Sequence, residues 1–185
     1  MIIGLTGRNA AGKGTVAQWL VDRGYYFTSL SDAIRGWLAA QGQEPTRDNL
    51  TAAGRHLRQT GGAGVLAERT LPLLPADRDC VVDSIRNPAE VQVLRRRSDF
   101  VLLEVTADRQ VRYQRLRNRA RAGDAQSFKE FVRQEEAELT STSSAGQQLQ
   151  ATAALADLQV ANDGNADQLQ AELAVLLADL RRRLG

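Results

Sequence analysis

A three-layer α/β/α fold, with a five-stranded parallel sheet between two layers of helices, is what this sequence predicts, and three observations predict it. Short apolar runs alternate with segments of helical periodicity along all 185 residues, the pattern of parallel strands joined by right-handed helical crossovers. Cys80-Val81-Val82 is apolar without alternation, as a strand buried on both faces requires. The glycine-rich stretch Gly7–Thr15 stands between the first apolar run and the first amphipathic helix, where a tight strand-to-helix turn belongs. The length suits a single well-cored domain spanning 1–185 and is short for two.

The elements follow in order. Ile2–Leu5 is the first strand, and the helix behind Gly7–Thr15 carries Val16, Ala17, Leu20 and Val21 on one face before stopping near Gly24. Tyr25–Thr28, aromatic and β-branched, reads as a short second strand. Ser29–Asp32 supplies cap residues to a helix through Ile34, Trp37 and Leu38, closed by Gly42. A third helix runs from about Asp48 to Gln59. Gly61–Gly64 separates it from a fourth carrying Val65, Leu66, Leu71 and Leu74, which Pro72 and Pro75 end. Cys80–Val82 is a strand with Asp83 at its carboxyl end, and Asn87-Pro88 opens the next helix, where the missing proline N–H costs nothing. Phe100–Val105 is a strand. From Asp108 a helix passes Val111 into the arginine-dense Arg115–Arg121, breaks at Gly123-Asp124 and is followed by another from about Ser127 to Leu139. Thr140–Ser144 is a polar loop. Leu158–Ala161 is the last strand, Asn162-Asp163-Gly164 its turn, and Leu169, Leu173, Leu176, Leu177, Leu180 and Leu184 form the core stripe of a final helix.

Composition narrows the function classes. Twenty-four basic against 22 acidic residues leave a net charge of only +2, which makes no bulk electrostatic case for a nucleic-acid partner. No apolar run approaches the ~20 residues of a membrane span. The apolar start is too short and lacks a basic leader, so a cytoplasmic protein with no membrane partner is expected, as a monomer or homodimer. Cys80, the one cysteine, reads as a small hydrophobe in a strand.

Gly7-Arg8-Asn9-Ala10-Ala11-Gly12-Lys13-Gly14-Thr15 carries the chemistry. Its spacing, Gly-x-x-x-x-Gly-Lys-Gly-Thr, lets the backbone turn so that several N–H groups face one concave nest, and the following helix adds its positive N-terminal end. Lys13 reaches the outer phosphates and Thr15 offers a hydroxyl to magnesium. The chain has just two lysines, Lys13 and Lys129; keeping one here, among many arginines, suits a compact point charge. Ligands of parallel sheets sit at the carboxyl ends of the strands. Gly7–Thr15, Ser31–Arg35, Asp83–Arg86 and Asn162–Gly164 all follow strands and therefore meet at one edge.

These segments resemble the P-loop nucleoside monophosphate kinases, adenylate kinase above all, and their relatives dephospho-coenzyme A kinase and the archaeal adenylate-kinase-related proteins. The resemblance covers nearly the whole chain. Gly12–Thr15 is the adenylate-kinase form of the loop, and Ser31-Asp32-Ala33-Ile34-Arg35 is similar to the segment whose arginine holds the acceptor phosphate. Val82-Asp83-Ser84-Ile85-Arg86 is similar to the segment that supplies an acid near the magnesium and a second acceptor arginine. Arg115–Arg119 resembles the entry to a mobile lid, and Asn162-Asp163-Gly164 the turn lining the donor base in dephospho-coenzyme A kinases. Glu90 stands where an acceptor-reading glutamine is expected, and Ser84-Ile85 replaces Gly-Phe-Pro.

The resemblance implies ATP and Mg2+ as cofactors and small-molecule nucleotide substrates. Lys13, Asp83, Arg86, Arg115 and Arg119 would act in catalysis. Gly7, Asn9, Ala10, Ala11, Gly12, Lys13, Gly14, Thr15, Asn162 and Asp163 would hold the nucleotide. Asp32, Arg35, Arg86 and Glu90 would hold the acceptor, and Thr15 with Asp83 the metal. An acceptor region at about 31–76 and a short helical lid at about 115–140 are expected, with Arg121 or Arg133 as further lid candidates. The residues also admit plainer roles: Arg35 on a solvated helix face, Asp83 as a helix cap, Asn162-Asp163 as a bare turn. Three other functions stay open at this stage: transfer to a hydroxyl, as in dephospho-coenzyme A kinase, a regulatory NTPase, and a kinase acting on nucleic-acid ends.

Overall fold

The computed structural model describes residues 1–119, 125–139 and 148–184; the expectations at Arg121, Gly123-Asp124 and Thr140–Ser144 lie outside the described residues. Five strands, β1 (Ile2–Thr6), β2 (Tyr26–Ser29), β3 (Cys80–Asp83), β4 (Phe100–Thr106) and β5 (Leu158–Ala161), form one sheet in the order β2-β3-β1-β4-β5. Every pairing is parallel, with Ile2 level with Cys80 on one side and with Phe100 on the other. The three-layer α/β/α prediction is met.

The layers follow from the period of two along a strand. Ile2, Cys80, Val82, Phe100 and Leu102 point to one face, where they pack with Leu30, Ile34, Leu57, Leu66, Val91 and Leu94 from the helices on that side. Ile3, Leu5, Val81, Val101, Leu103, Val105 and Val160 point to the other, against Val16, Leu20 and the stripe Leu169, Leu173, Leu177 and Leu180. Gly4 interrupts β1 because a Cβ there would lie 2.6 Å from the Phe100 ring and from Ile85 Cδ1.

The helices are α1 (Lys13–Val21), α2 (Leu30–Ala40), α3 (Arg47–Gly61), α4 (Val65–Thr70), α5 (Pro88–Leu94), α6 (Arg109–Arg119), α7 (Phe128–Leu139), α8 (Leu149–Ala153) and α9 (Ala166–Leu184). Capping explains several starts. Ser29 and Asp32 form a reciprocal capping box on α2, and Asn87 and Glu90 one on α5, with Pro88 in its first turn. Thr46 caps α3, its hydroxyl accepting from Asn49 N. Two departures from the sequence reading have local causes. The expected fourth helix tightens into a 3₁₀ turn at Leu71–Leu73, where Pro72 cannot donate to an α-helical ladder. The five-residue α8 was not expected. It is too short to show a period, and the burial of Leu149 and Thr152 holds it in place.

Candidate nucleotide and phosphoryl-transfer site

The loop between β1 and α1 departs from ordinary backbone geometry at three residues: Gly7 at φ 132°, Ala10 at φ 60° and Gly12 at φ 101°. Gly7 and Gly12 are also sterically required. A Cβ on Gly7 would sit 2.2 Å from the Val105 carbonyl oxygen, and one on Gly12 would sit 1.9 Å from Asn162 Nδ2. The turned backbone delivers α1 with Lys13 in its first turn. Lys13 Nζ donates to the carbonyls of Gly7 (2.7 Å) and Arg8 (3.1 Å), so its ammonium lies folded over the loop. Thr15 is exposed in the same first turn.

Three expected residues from distant parts of the chain meet this loop. Asn162, buried at the end of β5, donates from Nδ2 to the Ala11 carbonyl at 2.9 Å. Arg115 from α6 donates to the same carbonyl (3.4 Å) and to Asn162 Oδ1 (3.2 Å). Arg119, one helical turn further, donates to Asn9 Oδ1 at 3.2 Å. Because β5 lies two strands from β1, this contact needs the chain to be folded as a whole.

Asp83 ends β3, the strand beside β1. Its Oδ1 is buried without a hydrogen-bond partner, one of three such side-chain atoms among the described residues, with Trp19 Nε1 and Tyr25 Oη. Ser84 follows at φ 66°, a left-handed conformation unusual for a residue with a Cβ. The turn is bolted to β1: Ile85 N donates to the Leu5 carbonyl and the Thr6 hydroxyl donates to the Ile85 carbonyl at 3.0 Å. A buried carboxylate oxygen with an unsatisfied lone pair fits a hard cation, and magnesium in nucleotide sites is held by one or two carboxylates together with phosphates. Among the described residues no group of three or more acidic, cysteine or histidine side chains could hold a metal without such help.

Arg35 lies exposed on α2 and donates to Ser31 Oγ (2.8 Å) and Asp32 Oδ1 (3.2 Å). Asp32 also accepts from Ser29 N at 3.0 Å, so it caps α2 and holds Arg35 at once. Arg86 is half-buried, its N–H bonded to Glu90 Oε2 and its carbonyl accepting from Gln148 N at the start of α8. One expectation needs correction. Glu90 does not face an acceptor. It is fully buried, with Oε1 accepting from Arg58 Nε and Nη2 (3.0 and 2.7 Å) and Oε2 from the N–H groups of Arg86 and Asn87. Asp163, in the turn after β5, accepts from Asp108 N through its carboxylate and ties that turn to the start of α6.

Sequence reasoning missed the acid that organises α6 and α7. Glu135, 7% exposed, pairs with Arg112, with Arg109 (2.9 Å) and with Arg8 of the phosphate loop (3.2 Å). Burial alone would raise its carboxyl, but the Arg112 hydrogen bond and charge, helped by Arg8 and Arg109, outweigh that and hold it below the ordinary value. Only helical register could have marked it: Glu135 lies four residues after the buried Phe131, on the same face.

No family model matches the chain. A UPF0200 protein of Methanoculleus marisnigri is 32% identical over 185 residues, covering 98% of this chain and 98% of its own. One from Hyperthermus butylicus is 31% identical over 182 residues, covering 97% and 95%. Among solved structures, a shikimate kinase from Bacteroides thetaiotaomicron superposes with a TM-score of 0.59 at 15% identity over 100% of this chain and 99% of that one. TT1252 from Thermus thermophilus gives 0.56 at 24%, covering 97% of each chain. At such identities the structural likeness is one of fold, whereas the archaeal sequences match almost end to end at nearly a third of their positions, and on that ground the chain belongs to the UPF0200 family.

Proposed function

We propose that this chain transfers the terminal phosphoryl group of ATP, accompanied by magnesium, to a small phosphorylated acceptor, a nucleoside or deoxynucleoside monophosphate. The observation that carries this reading is the meeting of Arg115, Arg119 and Asn162 with the Gly7–Thr15 loop. A loop that only bound a nucleotide has no need of two guanidinium groups brought over it from another helix. Phosphoryl transfer does, because negative charge spreads over the group in flight and positioned cations stabilise it.

In this account the loop amides and Lys13 hold the donor phosphates, and Asn162 braces the loop from behind. Arg115 and Arg119 meet the transferring group. Arg35 and Arg86 grip the acceptor's own phosphate, for which planar forks are well matched. Asp83, through its unpartnered Oδ1, and the exposed Thr15 hydroxyl would hold the magnesium, which when bound offsets charge on the donor phosphates. The shikimate kinase likeness also permits a non-nucleotide acceptor. The arginine at the head of α2 favours one that already carries a phosphate.

A coupled assay of ADP formation over a panel of nucleoside and deoxynucleoside monophosphates tests the reading. One or a few should accelerate ADP release, with Arg35→Ala raising the acceptor KM while leaving the ATP KM within about twofold. ATP turnover indifferent to every monophosphate would count against the phosphorylated acceptor.

A further inference from the structure

A chain of side-chain hydroxyls runs from Arg35 to Asp83. Arg35 Nη1 donates to Ser31 Oγ at 2.8 Å, Ser31 and Ser29 hydroxyls lie 2.8 Å apart, Ser29 Oγ donates to Ser84 Oγ at 3.0 Å, and Ser84 Oγ donates to Asp83 Oδ2 at 3.4 Å. The chain has only one consistent direction. A guanidinium can only donate and a carboxylate can only accept. Since the Ser29 proton goes to Ser84, the bond between Ser31 and Ser29 must be donated by Ser31. All three hydroxyls therefore point from the cation towards the anion, an arrangement in which each bond polarises the next.

The ends of the chain explain its cost. Ser84 sits at φ 66° although it carries a Cβ, between a strand residue and an Ile85 bonded to β1 on both sides. That conformation brings one hydroxyl within reach of both Ser29, in another strand, and Asp83. With Oδ2 taken by Ser84, the other oxygen, Oδ1, is the one left without a partner. We propose that Ser31, Ser29 and Ser84 are positioning residues, a directed hydroxyl relay that fixes the Asp83 carboxylate so that Oδ1 is presented to a divalent cation. This rests on the nucleotide and magnesium reading given above and adds to it which residues orient the metal-binding acid.

The test is titration of the full chain with a non-hydrolysable ATP analogue, with and without magnesium, which reads affinity and not turnover. In Ser84→Ala the enhancement of analogue binding by magnesium should fall about tenfold, as for other residues that orient a metal ligand, while metal-free binding stays as in the native protein. Ser31→Ala should lower the enhancement about threefold and have no further effect in the Ser84→Ala background, since both substitutions cut one chain. Ser84→Gly separates hydroxyl from backbone: it should unfold at a higher temperature than Ser84→Ala, being free of the left-handed strain, yet show the same loss of magnesium enhancement. An enhancement unchanged in Ser84→Ala, restored in Ser84→Gly, or reduced additively by the two alanines overturns the relay. Native protein that binds no analogue under either condition overturns the nucleotide reading itself, a result distinct from the other three.

Discussion

Gly12 shows how tightly single residues set this site. Its φ of 101° strains any residue with a Cβ, and an added Cβ would lie 1.9 Å from Asn162 Nδ2, which would have to move. Gly12→Ala is expected to lower stability by about 2 kcal/mol, from left-handed strain and displacement of the Asn162 amide, and to weaken nucleotide binding more than tenfold. Thermal unfolding and calorimetric titration check the two effects separately. Arg119→Ala should instead leave folding and ATP affinity close to native and lower kcat by about a hundredfold or more, the usual effect of removing one donor to a developing anion. At this scale the sequence was legible where residue type and spacing encode a backbone shape: Gly7 and Gly12 take the positive φ the motif implies, and Lys13 opens α1. It was illegible where a residue's role depends on which way a helix turns. Nothing in Gln134-Glu135-Glu136 says which carboxylate faces inward, and Glu90 read as an acceptor contact until its burial against Arg58 placed it in the interior.

Between elements, two buried acids do the joining. Glu135 fastens α7 to α6 through Arg112 and Arg109 and to the phosphate loop through Arg8. Because its carboxyl is held below the ordinary value near 4.5, it adds stability that is fully present above that value and lost as pH falls through the lower, folded-state value. Unfolding midpoints followed from pH 7 down to pH 3 should therefore drop more steeply for the native protein than for Glu135→Gln. At pH 7 that substitution should cost about 3 kcal/mol by leaving buried Arg112 without its counter-charge. Glu90 joins α3 to the turn after β3, and Glu90→Leu should cost a similar amount, about 3–5 kcal/mol, measured by denaturant unfolding. Such joints were beyond the sequence reading because they pair residues 32 and 23 positions apart, from different elements. The elements themselves were largely legible, since five apolar runs and the capping residues Ser29 and Asn87 declare them locally. The short helix α8 was not, because tertiary burial alone sustains it.

For the molecule as a whole, the strand order β2-β3-β1-β4-β5 puts the phosphate loop at the centre of the sheet, with Asp83 one strand to one side and Asn162 two strands to the other. An all-parallel sheet opens its loops at one edge; there Asn162, Arg115 and Arg119 meet the Gly7–Thr15 loop, and Ser29 meets Ser84. The parallel sheet itself was legible from the alternation of strands and helices; which side chains meet at its edge was not, because that depends on helical register and tertiary packing. At the opposite edge Tyr25 is buried. There burial first, and then the nearby charge of Asp79, push the Tyr25 hydroxyl up to about 12 against the opposing influence of Arg181. Tyr25 should therefore remain un-ionised in an ultraviolet titration until well above pH 10, and its ionisation should coincide with unfolding. The fate of one phosphate decides whether this chain is a kinase. With ATP labelled in its terminal phosphoryl group and offered with a panel of nucleoside monophosphates, the label should appear in a nucleoside diphosphate made from one of them, and the transfer should vanish in Lys13→Met; label recovered only as inorganic phosphate would contradict it.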